Sequence, residues 1–182
     1  MPAVGLGDGL MAGDADDQPA IEPMTPDDWP AVRRIYEEGM AGGDATFETK
    51  APGWAEFDGA HRPDCRLVAR LGGEVVGWVA LVPYSHRSAY SGVAWESVYV
   101  AQAARGRGIG RALLEAVVVA SEQAGIWTMM AGVLAENAVS LALHEAVGFR
   151  KIGVQSRIGR DSRGRWRDVV LLERRSASVE PD

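Results

Sequence analysis

The chain has 182 residues, 47% hydrophobic and 24% charged, the length and make-up of one globular domain. Its net charge of −6 is front-loaded: Asp8, Asp14, Asp16 and Asp17 precede any Lys or Arg, and without them 21 acidic side chains face 19 basic ones. A near-neutral body argues against nucleic acid as the main partner, no apolar run reaches the roughly 20 residues of a membrane span, and a lone Cys65 excludes an internal disulfide.

The first segment has no basic stretch followed by an apolar run, so no secretory signal is expected and the cytoplasm is the expected compartment. Residues 1–20, rich in Gly, Ala and Asp, read as a disordered leader. A single domain over 21–176 and a tail over 177–182 follow. Ile21 to Met24 reads as a short strand. Thr25 is a candidate N-cap, with Pro26 at the first helical position and Asp28 three residues after the cap. Trp29, Val32, Ile35, Tyr36 and Met40 recur at helical spacing, which carries a helix to Gly42-Gly43. Gly53 to Ala60 is a second, weaker helix.

Arg66 to Leu71, the turn Gly72-Gly73 and Val75 to Leu81 predict a β-hairpin. A polar loop, Ser85 to Gly92, leads into a strand over Val93 to Val100. A glycine-rich turn then opens a helix over Ala112 to Ala124, stopped by Gly125. Trp127 to Leu134 is the next strand, and Asn137 caps a helix that ends at Gly148. Strands Lys151 to Arg157 and Trp166 to Glu173 flank a turn at Asp161 to Gly164. The order is strand, two helices, three strands, helix, strand, helix, two strands, an α/β fold with no internal repeat. Cys65, at a strand start, reads as a structural thiol, and Trp78, Trp127 and Trp166 as core or interface aromatics. Three scattered His and one Cys offer no metal-ligand spacing, so no metal is expected.

The chemistry concentrates after Ser97-Val98-Tyr99-Val100. In Arg105-Gly106-Arg107-Gly108-Ile109-Gly110-Arg111, alternate glycines let backbone N–H groups converge on one hollow, and the helix that follows adds its positive end. Such a nest suits a pyrophosphate. A P-loop would need Gly-Lys followed by Ser or Thr, and Gly110-Arg111-Ala112 lacks both; the spacing of a dinucleotide fingerprint also fails.

Arg105-x-x-Gly108-x-Gly110 resembles the coenzyme A pyrophosphate motif of the GNAT family of N-acetyltransferases, and the element order from Ile21 to Glu173 is similar to that family's fold. Asn137 to His144, closed by Gly148-Phe149, resembles a second marker of the family. The resemblance implies a central, mixed, mostly antiparallel twisted sheet of about seven strands with about four helices. It narrows at Thr46-Phe47-Glu48-Thr49, Arg87-Ser88-Ala89-Tyr90, Ser97 to Val100, Leu143-His144-Glu145 and Gly164 to Val169, which are similar to the phosphinothricin and methionine-sulfoximine acetyltransferase branch. Implied with it are acetyl-CoA as co-substrate, a homodimer, and a small amino-acid-like amine as acceptor.

Residue by residue, the resemblance assigns the backbone of Val98, Tyr99 and Val100 to the pantetheine arm, Arg105 through Arg111 to the pyrophosphate, and Asn137 to the arm again. Glu96 is the candidate base and His144 the candidate acid for the departing thiolate, with a buried structural histidine an equal reading. The related branch usually carries Glu two residues before the Ser of Ser-Val-Tyr-Val, where this chain has Trp95. One step along a strand reverses the face, so either a bulge re-aims Glu96 or Glu96 is not the base. Arg87 and Tyr90 are candidates to clamp an anionic group and Phe47 and Thr49 to line the opposite wall; packing or surface roles stay open for each. Two other functions also stay open: acetylation of a protein N-terminus or an antibiotic, and a non-catalytic acetyl-CoA-binding module.

Overall fold

The computed structural model of the chain describes residues 18–180. Residues 1–17 of the expected leader and 181–182 of the expected tail lie outside the described residues. The first strand, β1 (Ala20–Pro23), pairs Ala20 with Arg70, one residue ahead of the expected start of the domain.

Helix formation after β1 follows the cap but begins more tightly than the pattern implies. The Thr25 N–H and hydroxyl both donate to Asp28 Oδ2, at 2.8 and 2.9 Å, and close a 3-10 turn over Pro26–Asp28. Only then does α1 (Trp29–Gly42) run, burying Val32, Ile35 and Gly39. Gly39 admits no side chain, because a Cβ there would lie 2.7 Å from the Tyr99 ring. The helix stops at Gly43, whose φ of 77° is the left-handed conformation glycine tolerates. A short α2 (Trp54–Ala60) then seats Phe57 against the rings of Trp29, Trp54 and Trp78.

The hairpin forms as β2 (Arg66–Leu71) and β3 (Glu74–Pro83), followed by β4 (Val93–Val100), α3 (Ile109–Gln123), β5 (Thr128–Leu134), α4 (Ala138–Ala146), β6 (Arg150–Arg160) and β7 (Trp166–Arg175). The seven strands make one sheet in the order β1-β2-β3-β4-β5-β7-β6. Every neighbouring pair is antiparallel except β4 and β5, whose parallel pairing uses α3 as its crossover. This is the expected mixed sheet.

Alternation along β3 builds a core on each face. Trp78 and Ala80 meet Val32, Ile35 and Phe57 on the α1 side. Val79 and Leu81 meet Leu113, Leu114 and Val117 of α3 on the other. Cys65 is buried there too, and burial pushes its thiol up to about 11, which suits a structural role. Trp166, expected in a core or an interface, is not in the core: it is 52% exposed, with the Arg160 guanidinium 4.4 Å over its ring. Among the described residues, no helix is long and apolar enough to cross a membrane.

One irregularity positions everything that follows. The β4–β5 ladder lasts only from Val93↔Thr128 to Trp95↔Met130, whereas β4 stays paired with β3 to Val100 and β5 with β7 to Leu134. Past Trp95 the two strands part. The closed end of this fork is pinned by Gly92, whose carbonyl accepts the N–H groups of Trp127 and Thr128 at 2.9 and 3.1 Å. A Cβ on Gly92 would lie 2.0 Å from the Trp127 ring. Gly92→Ala is therefore expected to destabilise the fold by about 1–3 kcal/mol, a drop of roughly 2–12 °C in Tm. Gly42→Ala, where a Cβ would meet nothing within 4 Å, is the control and should leave Tm unchanged or slightly raised. Scanning calorimetry of both variants checks the contrast.

Candidate active site

Where β4 and β5 part, a cleft of about 80 Å³ opens between them. Its walls include Glu96, Val98 and Tyr99 of β4, Gly132 and Leu134 of β5, and Asn137, Ser140 and His144 at the start and middle of α4. Backbone groups of β4 beyond Trp95 lie outside the β5 ladder, free to pair with an inserted chain as a strand would. Val98 and Val100 pack their side chains on the α3 core. Tyr99 is locked on the opposite face, stacked on Trp78 and edge-on to Tyr36, so its backbone rather than its ring meets the fork.

Glu96 and His144, 48 residues apart, meet at the apex. His144 Nε2 lies 2.7 Å from Glu96 Oε1, with the two side chains only 2% and 4% exposed. The other ring nitrogen, Nδ1, lies 2.6 Å from the Ser140 carbonyl. Both ring nitrogens thus face acceptors, which an imidazolium satisfies by donating twice. Burial works to lower the His144 pKa, but the Glu96 hydrogen bond and charge and the Ser140 carbonyl outweigh it and raise it above the ordinary histidine value. Glu96 Oε2 is buried without a hydrogen-bond partner, on a residue that lines the cleft; a polar group entering the fork would satisfy it.

The bulge expected to be needed to re-aim Glu96 is absent, and Glu96 lines the cleft without one, so the choice posed by the sequence between a bulge and a different base was too narrow. β3 and β4 pair without a shift from Gly77↔Val100 to Pro83↔Ala94, and the one irregularity on β3 faces β2 instead. Glu96 shares its face with Ala94 and Val98, toward α4, where His144 waits for it.

The glycine turn takes the left-handed conformation at two of its three glycines. Gly106 and Gly108 sit at φ values of 77° and 76°, a conformation few other residues adopt, and Gly108 delivers the chain into the first turn of α3. Arg105 braces the turn, Nε donating to the Val100 carbonyl at 3.3 Å. Arg107 is exposed, and Arg111 pairs with Glu115 along the helix. Ile109 is not at the surface of the nest: it is buried and anchors the helix in the core. Gly110 is the point where α3 meets α4, since a Cβ there would lie 3.0 Å from Leu143. Asn137 accepts the Ser140 N–H at 3.0 Å and donates Nδ2 to the Asp44 carbonyl at 2.9 Å, leaving one amide hydrogen and a lone pair for the cleft.

Comparison with known proteins agrees with this geometry. Residues 29–149 match the profile of the acetyltransferase (GNAT) family. The chain belongs to the GNAT family. It is 35% identical over 159 residues to a phosphinothricin N-acetyltransferase of Alcaligenes faecalis, covering 81% of this chain and 78% of the relative. An L-methionine sulfoximine/L-methionine sulfone acetyltransferase of Pseudomonas paraeruginosa is 29% identical over 152 residues, covering 80% and 88%. Among solved structures, a phosphinothricin acetyltransferase of Sinorhizobium meliloti in complex with acetyl-CoA superposes with a TM-score of 0.81 at 28% identity, over 91% of this chain and 94% of that one. The protein is accordingly an acetyl-CoA-dependent N-acetyltransferase, and the fork and glycine turn are a fitting seat for that co-substrate.

The GNAT frame also sorts the candidate acceptor residues. Phe47 and Thr49 line a separate cleft of about 390 Å³ with Lys50, Asp161 and Ser162, and Phe47 packs on Gly159 of β6. Arg87 lies over the Tyr90 ring at 5.6 Å, and Tyr90 packs on Tyr84, which stacks on Trp95. Neither cleft is lined by Arg87 or Tyr90, so the two pairs do not share a cavity. Sequence reasoning missed Ser140, which orients His144, and Arg167, a buried guanidinium that joins Gly43, Asp44, Glu136 and Asp161. Spacing signals Ser140, four residues before His144 on a helix; Arg167 lies in the Gly164 to Val169 segment that carries the resemblance, but nothing local signals its partners.

Two outcomes are expected. Gly108→Glu places a charged side chain in the nest at a positive φ, and its acetyl-CoA affinity should fall by at least about tenfold in calorimetry. The raised His144 pKa makes the apex pair stabilising below the ordinary histidine value, and that stability is lost as pH rises through the raised value. Denaturant titrations across that window should show the loss in the wild type and a flatter profile in His144→Phe.

Proposed function

We propose that the protein acetylates the amine of a small amino-acid-like substrate of the phosphinothricin or methionine sulfone type, by direct attack and with no covalent enzyme intermediate. The observation that carries the mechanism is the buried Glu96–His144 pair at the apex of the fork, with Glu96 Oε2 left unpaired at the cleft. Acetyl-CoA supplies an activated thioester. The chain's own groups hold it, take a proton from the attacking ammonium and return one to the leaving sulfur.

Glu96 Oε2 is the acceptor for the ammonium proton, directly or through one water. His144, whose pKa Glu96 and the Ser140 carbonyl raise against the effect of burial, is the donor to sulfur. After one turnover Glu96 has gained a proton at Oε2 and His144 has lost one from Nε2; turning the carboxyl so that its O–H faces Nε2 lets one transfer across that 2.7 Å contact restore both. The two residues therefore work as a coupled pair rather than as an independent base and acid. A backbone N–H of β4 beyond Trp95 is placed to donate to the acyl oxygen as negative charge develops there.

The substrate class rests on the relatives' activities together with the small, half-polar cleft beside Phe47 and Thr49. Thiol release with L-phosphinothricin, L-methionine sulfoximine and L-methionine sulfone tests it; turnover only with peptides or aminoglycosides would refute it.

Glu96→Gln should lower kcat by roughly ten- to a thousand-fold with acetyl-CoA affinity little changed. It should also move the basic limb of the pH–rate profile to lower pH, because the charge that keeps His144 protonated is gone while its burial remains. The Glu96→Gln/His144→Phe double variant should be no slower than the slower single variant, as expected for partners in one hydrogen bond. Fully multiplicative losses, with an unmoved basic limb, would show that the two act apart.

A further inference from the structure

We propose that Arg167 is a positioning residue that holds residues 43–51, the loop after α1, against the mouth of the fork. Its bonds span separate segments. From β7 it donates Nε and Nη2 to the two oxygens of Glu136, both at 3.1 Å, in a bidentate pair just after β5. Nη1 donates to the Gly43 carbonyl at 3.1 Å and to Asp161 Oδ2 at 3.2 Å in the β6–β7 turn, and Nη2 to Asp44 Oδ1 at 2.8 Å. The side chain is 4% exposed, whereas Asp44 and Glu136 are 61% and 55% exposed. Ion pairs with such open carboxylates add little stability by themselves. What a buried planar fork with five acceptors does supply is registry between the β5 and β6 ends that ladder onto β7 and the loop after α1, which no ladder joins to them.

That registry bears on the site from both sides. Glu136 precedes Asn137, the cap of the helix that carries Ser140 and His144, and Asn137 grips the Asp44 carbonyl from the same direction. Asp44 leads into Ala45, which lines the fork, and into Thr46, Phe47 and Thr49, which line the larger cleft. The clasp thus sets how far the acceptor wall stands from the Glu96–His144 apex. It stays charged through neutral pH: its hydrogen bond holds Glu136 below the usual carboxylate range. Although burial works to raise Asp161, hydrogen bonds from Arg165, Arg167 and Arg163 hold it down to about 2.

The inference rests on the proposed acceptor reading, so the test separates the two. Arg167→Met, Arg167→Lys and Asp44→Asn are compared with the wild type. Amide hydrogen exchange over residues 43–51 is read without any substrate, KM and kcat with L-methionine sulfone, and acetyl-CoA affinity by calorimetry. Exchange in the loop should speed up in all three, including Asp44→Asn, which cuts only the loop arm and serves if Arg167→Met does not fold. KM for methionine sulfone should rise at least about tenfold in the Arg167 variants, with acetyl-CoA affinity within about twofold. Lysine should not rescue, because one ammonium cannot serve five acceptors. Unchanged exchange overturns the clasp. Faster exchange with unchanged KM, or acetyl-CoA affinity falling alongside, overturns its role in acceptor positioning. If the wild type does not turn over methionine sulfone, the substrate reading fails, while the exchange result still decides whether Arg167 holds the loop.

Discussion

The site depends on a parallel strand pair that is joined for three residues and then released. β4 and β5 share a ladder only to Trp95↔Met130, because each stays faithful to its antiparallel neighbour, β3 on one side and β7 on the other. Released backbone groups inside a protein are costly unless something pairs with them. The fork is thus an unfinished sheet, with an edge of β4 and an edge of β5 left unpaired with each other. α3 closes one rim, starting at the glycine turn, and α4 closes the other, starting at Asn137.

Into the apex of that opening the fold places a carboxylate and an imidazole, both nearly fully buried. Two such groups are tolerated because each partners the other, and Ser140 occupies the remaining ring nitrogen. Their hydrogen bond also holds α4 against β4, next to the close contact of Gly110 with Leu143. The buried Glu96–His144 contact and the placement of α4 are therefore one interaction. A substitution that breaks the contact also disturbs the wall of the fork.

Much of this was legible in the residues, and what was not has a physical reason. The order of strands and helices followed from local spacing, and the glycine turn from the backbone conformations that only glycine takes freely, as the φ values of Gly106 and Gly108 bear out. Glu96 and His144 were each visible as chemistry but not as a pair, since the contact joins positions 48 residues apart on different elements. The role of Arg167, though the residue sits in a segment that carries the resemblance, was not legible for the same reason: its partners are scattered from Gly43 to Asp161, and no window of sequence contains them. For Trp166 the residues left core and interface open, because an aromatic on an edge hairpin has the same local pattern as one in a core, and only the sheet order puts it outside the core. The start of α1 erred differently, as the cap was right but Asp28 tightened the first turn to 3-10.

The displacement of the carboxylate by one residue has its own logic. With no bulge in β4, positions 95, 97 and 99 face α1 and positions 94, 96 and 98 face α3 and α4. A carboxylate at position 95 would lie on the side of Tyr99 and Tyr84, where this chain instead stacks Trp95 on Tyr84. Moving it to position 96 sends it through the sheet to the other face, where an unpartnered charge would be buried among Ala94, Val98 and Phe149. A histidine at position 144 resolves that conflict, since it brings a positive partner from α4 and packs edge-on against Phe149. On this face each of Glu96 and His144 supplies the hydrogen-bond partner that burial would otherwise deny the other.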